Sequence, residues 1–257
     1  TCYGGGYRRG HKSARTMARG PDLERFAYTH KLVLVTVEEL LGYLDRHEAA
    51  ALPAPVLGAP ERPRRAAESW LPTEHGRFRL VAYGNPGGDD VDLALVLGDV
   101  SGVPPLVRLH SECLTGEALV SLRCDCGPQL AESLRRIGSE GRGILLYLRQ
   151  EGRGIGLREK IRAYALQDAG LDTVDANLAL GYAPDLRDYL RAAAILRDLG
   201  VTRVRLLTNN PAKAAGLADD GVEIVERVPL EIPAVPTNAA YLATKAERLG
   251  HLLGTLR

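Results

Sequence analysis

The sequence predicts an α/β fold, a mixed sheet flanked by helices, behind a short N-terminal segment of different character. Two observations predict it. From residue 74 onward, short apolar runs of strand length alternate with longer stretches of helical pattern, which is how α/β layers are written. Ahead of them lies a Pro-rich stretch that separates the first 48 residues from the rest.

Residues 1–48 begin with a Gly- and Arg-rich run through Gly10 and continue with a helix-then-strand pattern over 21–47, where Leu32, Leu34 and residues 35–37 read as one strand. Residues 49–69 read as a linker, because Pro53, Pro55, Pro60 and Pro63 favour extended chain and cannot continue a helix. The main domain is placed at 70–257. Its predicted strands are 77–83, 92–97, 105–110, 143–148, 203–208 and 222–228, and its predicted helices are 128–140, 155–169, 186–199 and 211–218. The last helix follows the turn signal Asn209-Asn210-Pro211.

Composition narrows the function classes. Hydrophobic residues make up 45% and charged residues 25% of 257, the balance of a globular protein with a real core. A net charge of +1, with two Phe and one Trp for base stacking, argues against a nucleic-acid partner. No apolar run approaches the roughly 20 residues that span a bilayer, and the N-terminus lacks the apolar core of a signal peptide. The expectation is a soluble cytoplasmic protein without a membrane partner. Because the chain begins at Thr1 without Met, it reads as a fragment of something longer.

Three of the four cysteines, Cys113, Cys124 and Cys126, fall within fourteen residues. In a reducing compartment such a cluster reads as metal ligation before disulfides. Three protein ligands leave a tetrahedral zinc one open place, the mark of a catalytic site, whereas His110 as a fourth ligand would close it. The bland alternative is three small buried hydrophobes. Three thiolates also make a net negative site, which acidifies water less than a zinc held by neutral histidines and calls for a nearby proton handler.

A second constellation follows the apolar run 145–148: Arg149-Gln150-Glu151-Gly152-Arg153-Gly154-Ile155-Gly156-Leu157, leading into a helix with Lys160 and Arg162. Glycines let backbone amides approach an anion, and a helix N-terminus adds partial positive charge, so phosphate is the natural occupant. From residue 108 to 162 there are ten Lys+Arg against seven Asp+Glu, a modest local excess in that direction. The run lacks both the P-loop ending and the dinucleotide spacing, so it is also readable as a tight turn with solvated arginines.

Side by side, the blocks Arg108-Leu109-His110-Ser111-Glu112-Cys113-Leu114-Thr115-Gly116, Arg123-Cys124-Asp125-Cys126-Gly127 and 149–157 resemble the signature blocks of GTP cyclohydrolase II, as do 160–168, 206–211 and 241–253. The resemblance covers about residue 70 to the C-terminus. It implies one zinc per subunit, held by Cys113, Cys124 and Cys126 with water in the fourth place, and magnesium at the triphosphate. It further implies GTP contacts from Arg108, Leu109, His110, Ser111, Glu112, Gln129, Glu151, Gly152, Arg153, Thr173, Thr208 and Lys213, and a homodimer. The implied reaction converts GTP and water to formate, pyrophosphate and a diaminopyrimidinone ribosyl phosphate, opening riboflavin biosynthesis. Tyr164 matches the family's active-site tyrosine, Arg187 its proposed nucleophile on the α-phosphate, and Asp185 the proton acceptor. A guanidinium with a pKa above about 12 is a poor nucleophile, so a plain electrostatic clamp explains the same residue type.

Residues 16–47 are similar to the tail of 3,4-dihydroxy-2-butanone 4-phosphate synthase, and nothing in residues 1–15 resembles that enzyme's acidic catalytic segments. Residues 1–48 are therefore expected to be a remnant without that activity. The rival readings are a piece of a bifunctional enzyme that carries both activities, and a paralogue that binds GTP without turnover.

Overall fold

The computed structural model describes residues 11–13, 16–17, 21–30, 32, 34–36, 39, 63–84 and 91–254. The chain divides into two units, Thr1–Ala59 and Pro60–Arg257.

In the first unit β1 (His11–Ser13) pairs antiparallel with β2 (Thr16–Met17), and α1 (Pro21–Thr29) starts on a proline, whose fixed φ suits the first helical turn. The strand expected over Leu32, Leu34 and 35–37 is absent among the described residues. The Leu32 amide is spent on Ala27 O at the end of α1. Thr36 and Glu39 exchange backbone-to-side-chain bonds at 2.8 and 3.1 Å, a capping box, which starts a helix rather than extending a strand. Residue 37 lies outside the described residues.

The second unit is built on a seven-stranded mixed sheet of order β3-β4-β5-β7-β6-β8-β9. The strands are β3 (Arg65–Thr73), β4 (Gly76–Tyr83), β5 (Asp92–Leu97), β6 (Leu106–Ser111), β7 (Gly143–Leu148), β8 (Arg203–Leu207) and β9 (Glu223–Val228). The β3 to β5 meander is antiparallel and joins β7 antiparallel, whereas β7, β6, β8 and β9 run parallel. Between the strands lie α2 (Leu114–Glu117), α3 (Cys126–Glu140), α4 (Gly156–Asp168), α5 (Thr173–Ala179), α6 (Leu190–Asp198) and α7 (Pro211–Asp219), with α8 (Ala239–Leu249) last.

Alternation along the strands decides which side chains reach the site, because successive residues point to opposite faces. Val107, Leu109, Ile144, Leu146 and Leu148 pack with Ala192, Ala193, Ile195 and Leu196 of α6 and Leu217 of α7. The opposite face, with Leu106 and Leu145, packs against Ile137, Leu130 and Leu134 of α3. Arg108 and His110 alternate with Val107 and Leu109 and so share the α3 face, at the carboxyl ends of the parallel strands where open α/β sheets bind ligands.

Six strands and four helices lie where the sequence predicts them, to within a few residues at each end. β3 begins at Arg65, so it takes up the last five residues of the stretch read as linker. Its side chains are mostly exposed and it carries Pro72, features that an edge strand tolerates and that hide it from an alternation reading. The helix expected from 186 starts only at Leu190, because the Leu186 amide is held by Arg153 O and Asp185 pairs with Arg187. Helices α2, α5 and α8 were not predicted.

Candidate functional site

The three cysteines come together where β6 runs out. Cys113 is the N-cap of the one-turn helix α2, and Cys124 and Cys126 lie on the entry to α3. Their sulfur atoms all lie within 4.8 Å of one another, with Cys113 Sγ and Cys124 Sγ 3.7 Å apart. A tetrahedral zinc with bonds of about 2.3 Å places sulfur atoms about 3.8 Å apart, so the donor set fits that ion. Gly116 makes the cluster possible: a Cβ there would sit 2.7 Å from Cys124 Sγ and 3.1 Å from Cys113 Sγ. Hydrogen bonds from Cys124 and Cys126, and then from Lys160, hold the Cys113 thiol well below its ordinary range, whereas the bond to Cys113 pushes Cys126 well up.

The Gly-rich turn packs directly on this centre. Residues Glu151–Gly154 form a tight turn rather than a regular helix, in which Gly152 and Arg153 both take φ of 63°, in the left-handed region that residues other than glycine rarely adopt. Arg153 is kept there by Leu186 N on its carbonyl at 3.0 Å. The buried Glu151 carboxylate accepts from Leu114 N at 2.8 Å, Gly152 N at 2.9 Å and Lys160 Nζ at 2.7 Å. Lys160 also donates to Cys113 Sγ at 3.1 Å. The lysine expected to face phosphate from a basic helix is therefore turned toward sulfur, while Arg162 is exposed and pairs with Glu159.

Arg108 and His110 line the cleft from the sheet. Arg108 donates to Gln129 Oε1 at 2.6 Å and Leu207 O at 3.1 Å. Gln129 in turn donates to Asp125, whose other oxygen accepts from Lys245 Nζ of α8 at 2.6 Å. His110 Nε2 lies 2.8 Å from Glu117 Oε1, and Tyr147 OH donates to Glu117 Oε2 at 2.6 Å. Arg108 Nε and His110 Nδ1 are buried without a hydrogen-bond partner among the described residues. Burial lowers His110 to about 4 despite the carboxylate, so the ring is neutral, with Nε2–H on Glu117 and Nδ1 left as an acceptor.

Arg187, Lys213, Thr173 and Thr208 line the same cleft. Asp185 and Arg187 form a bidentate pair, Nε to Oδ1 at 2.8 Å and Nη2 to Oδ2 at 2.5 Å. Burial is the largest single influence and works against the Arg187 charge, but the Asp185 bond together with the charges of Tyr189, Asp185 and Tyr241 outweighs it and raises the guanidinium further. Lys213 Nζ is buried and donates to Leu109 O at 2.9 Å. Burial, and then Arg108, Arg187 and Lys245, push it well below the lysine range. Arg108 is lowered to about 10, chiefly by burial. Arg108 and Lys213 form no ion pair among the described residues, so an anion bound beside them would pair with the Arg108 guanidinium and favour the charged form of Lys213 that burial opposes. Tyr164 OH lies 3.0 Å from Thr115 Oγ1, with the Arg123 guanidinium 4.9 Å from its ring centre.

Sixteen of the eighteen site residues expected from the sequence line this one cleft, Ser111 and Glu112 among them. The exceptions are Leu109, whose side chain is fully buried in the core on the opposite sheet face, and Asp185, which reaches the cleft through Arg187. Glu117, Tyr147, Tyr241 and His251 were missed. Tyr241, Lys245 and His251 line the cleft from α8 and the turn after it, and no spacing along the chain ties them to the cysteines.

Comparison with known proteins agrees with this geometry. The model of the GTP cyclohydrolase II family matches residues 64–229. The chain is similar to "Riboflavin biosynthesis protein RibBA" of Bacillus cereus, 52% identical over 239 residues, which cover 93% of this chain and 57% of that protein. It is similar also to the protein of the same name from Bacillus cytotoxicus, 51% identical over 243 residues, 94% of this chain and 58% of that one. The chain thus spans a little over half the length of these relatives. A solved structure of RibBX, "a two domain 3,4-dihydroxy-2-butanone 4-phosphate synthase from A. baumannii", is 26% identical and covers 77% of this chain and 46% of its own, with a TM-score of 0.33, too low to bear on the fold. With the match extending over most of the sheet and every cysteine of the cluster, the chain belongs to the GTP cyclohydrolase II family.

Proposed function

We propose that the chain hydrolyses GTP to formate, pyrophosphate and a diaminopyrimidinone ribosyl phosphate, the first step of riboflavin biosynthesis, with zinc on Cys113, Cys124 and Cys126. One observation carries the reading: a three-sulfur centre shares its cleft with two buried basic side chains, Arg108 and Lys213, that have no carboxylate partner among the described residues. A metal at one end and a polyanion beyond it satisfy both.

A zinc ion held by the three thiolates supplies Lewis acidity for hydrolysis at the purine C8. The residues of the chain do the rest. Arg108, Arg153 and Lys213, with magnesium, bind the triphosphate, and Thr173 and Thr208 offer hydroxyls along its path. Tyr164, held by Thr115 and neutral at physiological pH because burial raises it, orients the ring system as a hydrogen-bond donor. His110, fixed by Glu117, presents Nδ1 as a proton acceptor. Arg187 is read as a clamp on the α-phosphate rather than a nucleophile, because its bidentate bond to Asp185 keeps it protonated. Leu109 takes part through its main chain alone.

We read the chain further as a cytoplasmic homodimer subunit, with neither a membrane nor a nucleic-acid partner. Residues 1–48 are read as the synthase remnant, 49–69 as linker and 70–257 as the cyclohydrolase domain. Among the described residues no helix is long and apolar enough to cross a membrane. The test is incubation of purified protein with GTP, magnesium and zinc, following formate and pyrophosphate by mass spectrometry beside Cys126→Ser. Wild type releases both and the variant no formate; GTP binding without either product would leave the chain a non-catalytic paralogue.

A further inference from the structure

We infer that Lys160 is a positioning residue for the metal centre, a buried ammonium that weakens Cys113 as a donor and so makes the bound ion more acidic. The inference rests on the zinc reading above and on the placement of one side chain. Lys160 Nζ is 3.1 Å from Cys113 Sγ and 2.7 Å from Glu151 Oε1, and only 10% of its side chain is exposed. Two of its three N–H donors are thus spent inside the protein, and neither faces the phosphate end of the cleft. The glutamate that aims it is itself fixed by two backbone amides, Leu114 N from the metal loop and Gly152 N from the Gly-rich turn. The pair therefore ties the two loops together with the ammonium pointed at one sulfur.

The chemistry needs such a device. Three thiolates around a divalent ion leave a net negative charge, which makes the ion a poor acid toward water. An N–H···S bond from a cation withdraws electron density from that sulfur, so Cys113 becomes the weakest donor of the three and the ion keeps more of its charge. The partners beyond the first ring of ligands tune a metal in this way in general, and their loss costs about 10- to 100-fold in affinity or activity. Among the described residues neither Cys124 nor Cys126 accepts a hydrogen bond from a lysine or arginine, and Lys245 acts on Cys126 only through space, so the direct N–H···S bond is confined to one ligand.

The test uses cobalt(II) as the probe in place of zinc. Wild type is expected to give the thiolate-to-cobalt charge-transfer band of a tetrahedral sulfur site. In Lys160→Met the Cys113 lone pair is no longer stabilised, so the band moves to longer wavelength, and formate release by the zinc form falls by about 10- to 100-fold. Because Lys160→Met leaves the Glu151 charge buried, the double variant Lys160→Met/Glu151→Gln, which removes both charges, is measured beside it and is expected to show the same displacement. Circular dichroism confirms the fold of each. A band at the wild-type position in both variants overturns the inference. A wild type that shows no thiolate-to-cobalt band instead overturns the zinc reading, so the two failures are told apart.

Discussion

Gly116→Ala isolates the packing of the metal centre from its chemistry, since it changes no ligand and no charge. The added Cβ would lie 2.7 Å from Cys124 Sγ, 3.1 Å from Cys113 Sγ and 3.3 Å from Cys126 Cβ. Ordinary heavy-atom contact begins at about 3.5 Å, so the nearest sulfur must retreat by about 0.8 Å. Metal sites tolerate ligand displacements of only about 0.2 Å. Overpacking of this kind costs about 1–3 kcal/mol, and if the strain is relieved only when the sulfurs part, that amount is taken from metal binding, a loss of about 5- to 150-fold in zinc affinity. Competition against a chromophoric chelator measures the affinity, and thermal melting of the zinc-stripped proteins checks that the fold survives. If Gly116→Ala holds zinc within twofold of wild type, the sulfur cluster does not depend on this close approach.

Three further outcomes follow from the cleft. Arg187→Lys keeps a positive charge but loses the fork on Asp185; losing charge-assisted bonds costs about 1.5–3 kcal/mol, so GTP turnover falls by about 10- to 150-fold without vanishing, and rapid-quench mass spectrometry of wild type finds no nucleotide adduct on Arg187. An adduct there would replace the clamp with covalent catalysis. Glu117→Gln can serve only one of His110 and Tyr147 as before, and it is expected to lower kcat by about tenfold or more while zinc content stays at the wild-type level; an unchanged kcat would remove His110 from the proton path. Burial first, and then neighbouring cations, hold His251 at about 3, and His110 is at about 4, both below the ordinary 6.5. The folded state therefore binds fewer protons than the unfolded chain, so this stability is complete above about pH 6.5 and is lost as pH falls toward 4 and 3. Urea midpoints of the zinc-stripped protein should drop between about pH 7.5 and about pH 4.5, less steeply in His251→Asn, and equal slopes would show that His251 is not the sensor.

The parts of the fold that the sequence made legible are those where periodicity and burial coincide. β7 is an uninterrupted run without a charge and β5 is apolar after its first residue, Asp92, so both are placed to the residue, whereas β3 is an exposed edge with a proline whose first residues read as linker. Helix α8 was passed over as structure, although its Thr244-Lys245 stretch was part of the resemblance, because its role depends on a contact across 120 residues from Lys245 to Asp125. The ligand cysteines were legible because three soft donors at short spacing have few other uses. What each polar group does was not. Leu109 sits inside a block of site residues yet faces the core, since a strand turns alternate side chains away, and Lys160 lies in a basic stretch that reads as a phosphate site although its ammonium is bonded to sulfur.

The basic groups of the cleft are of two kinds, which explains how one cavity serves a cation and a polyanion. Three are answered from within, Lys160 by Glu151, Lys245 by Asp125 and Arg187 by Asp185. Each of these acids is also bonded by a backbone or side-chain amide, which fixes it without adding charge: Glu151 by Leu114 N and Gly152 N, Asp125 by Gln129, and Asp185 by Arg187 N. Arg108 and Lys213 are held instead by neutral carbonyls, Leu207 O, Gln129 Oε1 and Leu109 O. A neutral acceptor positions a basic group without cancelling its charge, so Arg108 stays open to an anion and Lys213 gains its proton more readily beside one, whereas the paired lysines are already balanced. Gln129 stands between the two regimes, accepting from Arg108 with its oxygen and donating to Asp125 with its nitrogen. An amide carries its acceptor and its donors on separate atoms and does not itself ionise, so it can bridge the two groups while keeping their charges apart. A glutamate there would neutralise Arg108 and repel Asp125, collapsing the separation on which binding a metal and a triphosphate in one cleft depends.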